Sequence, residues 1–142
     1  MATNLVYKYT ESKTRVRTLA ASVPGGTPLL DPSDSRPAVT ITATGDYTVT
    51  VTDNLPYGWA SVTGVAKGGA GLVGKEATLA YDGTWEFPVT GVTTSTVQGA
   101  QVYITSAGEL TLTASTNTAY GRIDYPTDYE KAAAIAPVRI GN

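Results

Sequence analysis

Apolar residues alternate with threonine over Val39-Thr40-Ile41-Thr42, and again over Tyr47-Thr48-Val49-Thr50-Val51-Thr52. A period of two gives an extended chain one apolar and one polar face, so both runs are predicted strands. Threonine is β-branched and favours extended backbone even where it meets water. Gly45-Asp46 lies between the two runs and predicts a turn that folds them into a hairpin.

Shorter runs of the same kind follow at Trp59–Ala66, Ala77–Tyr81, Trp85–Val89, Gln101–Thr105, Leu110–Thr113, Tyr120–Ile123 and Pro137–Ile140. Trp85, Phe87 and Val89 are spaced by two, so on a strand they share one face and form a predicted piece of core. Asp82-Gly83 is a two-residue hairpin candidate, and Ala107-Gly108 is another. Only Asp128–Ile135 carries helix formers behind a capping residue, and Pro137 limits it to one or two turns. Residues 24–37 hold four prolines and Gly25-Gly26 and read as a rigid, irregular loop. Residues 1–13 have little apolar content and read as an arm. No internal repeat is evident. Many short strands divided by Gly, Pro and Asp predict an all-β, single-domain barrel or sandwich of short antiparallel strands over 14–142. An extended N-terminal arm and at most one short helix complete the expectation.

The chain has 142 residues, one domain's worth, and no cysteine for disulfides or thiolate ligands. No apolar run approaches the ~20 residues a membrane-spanning helix needs. The N-terminus lacks the basic-then-apolar pattern of a cleaved signal peptide. Charged residues make up 15%, well below the ~25% of ordinary domains, and the net charge is −2. A surface of Thr, Ser and Tyr suits close protein contact, because little charge must be desolvated.

Candidate chemistry is sparse. Gly69-Ala70-Gly71-Leu72-Val73-Gly74-Lys75 fits G-x-G-x-x-G and most of a P-loop. A strand is predicted next, where a phosphate site needs a helix N-terminus, and Glu76 stands where Ser or Thr should meet magnesium. The segment is read as a flexible glycine loop. The chain has no histidine, which removes the usual general base and any Ser–His triad. The pairs and groups Asp31/Asp34 and Asp124/Asp128/Glu130 are read as solvated turn and cap residues, and their spacing fits no calcium loop. No enzymatic activity, cofactor or metal is expected. Lys8, Lys13, Arg15 and Arg17, interleaved with Tyr7 and Tyr9, are too few for a nucleic-acid footprint at pI near 5. Arg15 and Arg17 share a strand face, either to meet acidic groups on a partner or as the charges of a solvated edge strand. Trp59 follows the turn-like Pro56-Tyr57-Gly58 and, with Tyr57, is a candidate subunit contact.

From Val16 onward the chain resembles the capsid decoration (cement) proteins of tailed bacteriophages. The resemblance rests on an ordered series of segments: Val23 to Leu30 (VPGGTPLL), Gly74 to Val89 (GKEATLAYDGTWEFPV), Gln98 to Thr105 (QGAQVYIT) with the turn at Gly108, and Ala119 to Ile123 (AYGRI) before a closing strand. The stretch Tyr47–Gly71 is longer than its family counterpart and reads as an elaborated loop or outward hairpin. The resemblance implies a structural virion protein, made in the host cytoplasm, that sits on the outer capsid surface as a homotrimer at local three-fold positions. Its implied partner is the major capsid protein, whose expanded shell it would reinforce, with no membrane or nucleic-acid partner. An arm carrying Tyr7, Lys8, Tyr9, Lys13, Arg15 and Arg17 would add to a capsid strand. The competing expectation is a head fibre or a host-surface, glycan-binding β module, with 47–71 as its contact region.

Overall fold

The computed structural model describes residues 4–7, 14–53, 55, 57–67, 72 and 74–141. Among them the chain forms twelve strands and no helix. In order these are β1 (Leu5–Tyr7), β2 (Arg15–Thr18), β3 (Pro28–Leu30), β4 (Pro37–Thr40), β5 (Asp46–Val51), β6 (Val62–Lys67), β7 (Glu76–Ala80), β8 (Gly83–Thr90), β9 (Gln101–Ile104), β10 (Leu110–Thr111), β11 (Thr118–Ile123) and β12 (Ile135–Ile140).

Five strands close a barrel in the order β8-β10-β9-β11-β12, with β12 returning to β8. All neighbours are antiparallel except β10, which runs parallel to β8. At eight residues β8 is the longest strand and takes three partners. Strand β12 pairs along Gly83 to Pro88, β10 meets Val89 and Thr90, and β1 lies beside Thr84 and Trp85. A four-stranded sheet, β2-β7-β4-β3, packs on the barrel, and among the described residues β5 pairs with β6 alone.

The period-two faces explain the packing. Trp85, Phe87 and Val89 all point into the barrel and are essentially fully buried. They meet Val102, Ile104, Leu110, Ile123, Val138 and Ile140 from the other staves, and Val39, Ile41 and Ala80 from the second sheet. The two sheets therefore share one core. Tyr120 ties them together: its ring meets Phe87 edge-on at 6.2 Å, and its hydroxyl donates to Ala38 O at 2.7 Å. A smaller cluster of Leu19, Ala38, Ala77, Leu79 and Tyr81 lies within the second sheet.

Several sequence expectations need correcting. The Ala107-Gly108 hairpin is present, with Gly108 at φ +85° and β9 paired to β10. The other two hairpins are not. Strand β4 pairs with β3 and β7, and residues 41–45 stay bound there through Ile41 N–H to Thr78 O and Gly45 N–H to Glu76 O. The chain cannot fold back at Gly45, so β5 pairs with β6 instead. At Asp82-Gly83 the chain passes from one sheet to the other. A type I′ hairpin needs both central residues at positive φ, and here only Gly83 has it, at +98°. The predicted irregular loop 24–37 contains β3 and the start of β4, paired Leu30 to Pro37 and Pro28 to Val39. The expected short helix at Asp128–Ile135 is a series of turns, with Asp128 and Ala134 at φ +65° and +64°. Eight residues make a marginal helix. Here the backbone serves the barrel instead: Ala134 N–H donates to Val92 O, and Ala134 O accepts from Val89 N–H.

Candidate functional site

The residues expected to make contacts fall in two places. The first is the N-terminal segment. Asn4 is tied down on both sides, its amide donating to Glu86 O at 2.9 Å and Gly26 O at 3.3 Å. The backbone of β1 then lies along β8, with Leu5 opposite Trp85 and Tyr7 opposite Thr84. Lys8, Tyr9 and Lys13 lie outside the described residues. Beyond them β2 is an edge strand of the second sheet, paired on one side to β7. Arg15 is exposed there, with Nη1 donating to Thr14 O at 2.7 Å.

Arg17, two residues on, turns to its own chain. Its Nε donates to both carboxylate oxygens of Asp31, at 3.1 and 3.2 Å. Asp31 is almost wholly buried, which corrects the expectation of a solvated turn residue. It also accepts the Ser33 N–H at 2.7 Å and a short hydrogen bond from the Tyr81 hydroxyl. Arg36 pairs with Asp34 at 2.6 Å and lays its guanidinium 4.3 Å from the centre of the Tyr81 ring. Burial pushes the Asp31 carboxyl up, but the bonds from Tyr81, Ser33 and Arg17 outweigh it and hold the carboxyl below its ordinary range. Burial first, and then the Asp31 bond, push the Tyr81 phenol up to about 12. The sequence gives one sign of this cluster, the turn-rich Asp31-Pro32-Ser33-Asp34-Ser35. Its partners Arg17 and Tyr81 come from separate strands and leave no local signal.

The second place is the segment joining β5 to β6. Tyr57 is fully exposed and Trp59 retains 59% of its surface, so neither belongs to a core within this chain. Val51, at the end of β5, is also exposed. The Thr50 and Thr63 hydroxyls bond across the hairpin at 2.9 Å. The structure thus keeps the aromatic pair apart from the N-terminal segment in sequence and in sheet.

The remaining candidates are accounted for locally. Of the glycine-rich motif, Leu72, Gly74 and Lys75 are described, and β7 follows at once, so a strand stands where a phosphate site would need a helix. Asp124 accepts from Thr84 Oγ1 at 3.0 Å and from Gln98 Nε2 at 2.8 Å. Among the described residues no group of three metal-ligating side chains is gathered. An apolar groove of about 560 Å³ runs between β3 and the β9–β10 turn, walled by Leu19, Val23, Leu29, Ile104 and Ala107.

A family model described as phage cement protein matches residues 33–140, which takes in β4 and every strand of the closed barrel. No curated protein and no solved structure matches the chain.

Proposed function

The chain belongs to the phage cement protein family, which is structural and capsid-associated, and from that premise we propose that it binds the outer surface of the capsid and stabilises the expanded shell as a trimer at local three-fold positions. The single observation carrying this reading is the family match over the whole barrel. Two physical features agree with it. The charge-poor surface lowers the desolvation cost of broad protein contact. Contact elements set apart in the fold suit multivalent attachment, since three linked weak contacts act at high effective concentration.

Attachment is assigned to the N-terminal segment that carries Tyr7, Lys8, Tyr9, Lys13, Arg15 and Arg17, by addition of main chain to a capsid strand. Tyr57 and Trp59 are assigned to contacts between neighbouring copies. A second reading, a host-surface glycan-binding module, draws on the same exposed aromatics, which could stack on sugar rings.

The deciding experiment is co-sedimentation of the purified protein with expanded shells that lack it. Saturation near one copy per capsid subunit supports decoration. Saturation at a few dozen copies indicates a fibre or vertex protein, and no binding refutes the proposal. Replacing Lys8, Tyr9 and Lys13 by alanine leaves β1 on its barrel and should weaken shell binding about tenfold, near 1.4 kcal/mol. Unchanged binding would remove the arm from the mechanism. Retention on a glycan surface that Trp59→Ala abolishes would favour the second reading.

A further inference from the structure

Arg122 on β11 and Arg139 on β12 are registered directly opposite one another, and both are exposed on the outer face of the barrel. Gln101 on β9 continues the row, opposite Arg122. Directly opposed side chains on an antiparallel pair stand about 5 Å apart at Cβ, where like charges repel. Two arginines so placed burden the sheet unless something compensates them. The described ion pairs join Arg17 to Asp31 and Arg36 to Asp34, and neither involves these two guanidinium groups. The acidic residue next along the strand, Asp124, accepts from Thr84 and Gln98.

The pair also lines a cleft. About 390 Å³ of open space is bounded by Arg122, Arg139, Gln101, Tyr120 and Pro37, with Gly121 and Gly141 completing its wall. One wall is preset: Arg122 Nη1 donates to Gly99 O at 3.0 Å, and Gln101 Nε2 is held by Gly121 O at 2.8 Å. A guanidinium offers forked N–H donors that match the two oxygens of a carboxylate.

We propose that this cleft receives an acidic side chain of the capsid protein, with Arg122 and Arg139 closing on its carboxylate. The assignment rests on the cement reading, which supplies the surface every copy must meet. A nucleic-acid phosphate is the poorer occupant, because two arginines on a chain of net charge −2 do not make a basic stripe. The repulsion within the pair is relieved only when the carboxylate arrives, so the contact also fixes how the barrel sits on the shell.

The test uses the full chain with Arg122→Gln and Arg139→Gln together. Shell binding should fall at least tenfold at low salt, and its dependence on salt should flatten, because a screened charge contact has been removed. The oligomeric state in sedimentation velocity should be unchanged, and the melting temperature should not fall, since a repulsive pair has gone. Arg122→Lys with Arg139→Lys keeps the charge without the fork and should bind between the two. If wild-type protein binds shells and the glutamine variant binds equally well, the cleft is not the contact and the cement reading stands. If the variant loses self-association instead, the occupant is a second copy, and the proposal falls. Capture of a short DNA duplex by the wild type that the variant loses would overturn it in favour of phosphate. If wild-type protein fails to bind shells, the cement reading itself fails.

Discussion

At the scale of single residues, Asp31 carries the largest consequences. A buried carboxylate held by Arg17, Tyr81 and a backbone N–H is stabilising only while it is ionised. Asp31→Asn keeps the shape and removes the charge, and should cost about 2 kcal/mol in urea denaturation at neutral pH. The pH dependence follows from the two shifted groups. The Asp31 carboxyl is lowered in the folded chain, so its stabilisation is in place above the ordinary value of 3.8 and is lost as pH falls through the lower folded value. Tyr81 is raised from 10.0 to about 12, so its contribution holds below pH 10 and is lost as pH rises from there to 12. Tyr81→Phe should therefore flatten the alkaline limb of stability against pH. It should not abolish it, because burial also raises Tyr120 and Tyr129.

At the scale of strands, the seam between β11 and β12 is tightly closed at Gly121. A Cβ on Gly121 would lie 2.5 Å from Arg139 O and 2.9 Å from Val138 Cγ1, so Gly121→Ala must push the two strands apart. Overpacking of this kind costs about 1–3 kcal/mol, readable as a lower denaturation midpoint with an unchanged slope. In the β9–β10 turn, by contrast, an added Cβ on Gly108 meets nothing within 4 Å, so only its φ of +85° resists substitution there. The same contrast explains what the sequence discloses. The inward faces were legible: Trp85, Phe87 and Val89 repeat every two residues, and that period survives in any sheet. Of the strand partners only β9 with β10, across the Ala107-Gly108 turn, was legible, because the other pairings depend on bonds made at a distance. Thr78 and Glu76 hold residues 41–45, and this decides that β4 does not meet β5. Asp82-Gly83 has hairpin composition but lacks hairpin dihedrals. Of the proposed contact residues, exposed Tyr57 and Trp59 were signalled by their turn context, whereas Arg122 and Arg139 become a pair only through the β11–β12 register.

At the scale of the molecule, barrel and second sheet form one body through their shared core, while the β5–β6 hairpin has no other strand partner among the described residues. Trp59→Ala should consequently change unfolding free energy by no more than about 0.5 kcal/mol, while Phe87→Ala, in the barrel, should cost about 3–5 kcal/mol. The closure of the barrel carries a further consequence. Strand β12 is the last of the twelve described strands in chain order, yet it is the stave that joins β11 to β8, and through Ile135 to Ile140 it covers most of β8. During translation the barrel cannot shut until Ile140 has cleared the ribosomal tunnel, so the earlier staves wait outside the ribosome with an open sheet edge. A nascent chain stalled just after Ile123 should remain protease-sensitive, and one stalled far enough downstream to release Ile140 should become resistant in a single step. Productive folding is then a race between the arrival of the last stave and the capture of the open edge by a neighbouring nascent chain on the same messenger.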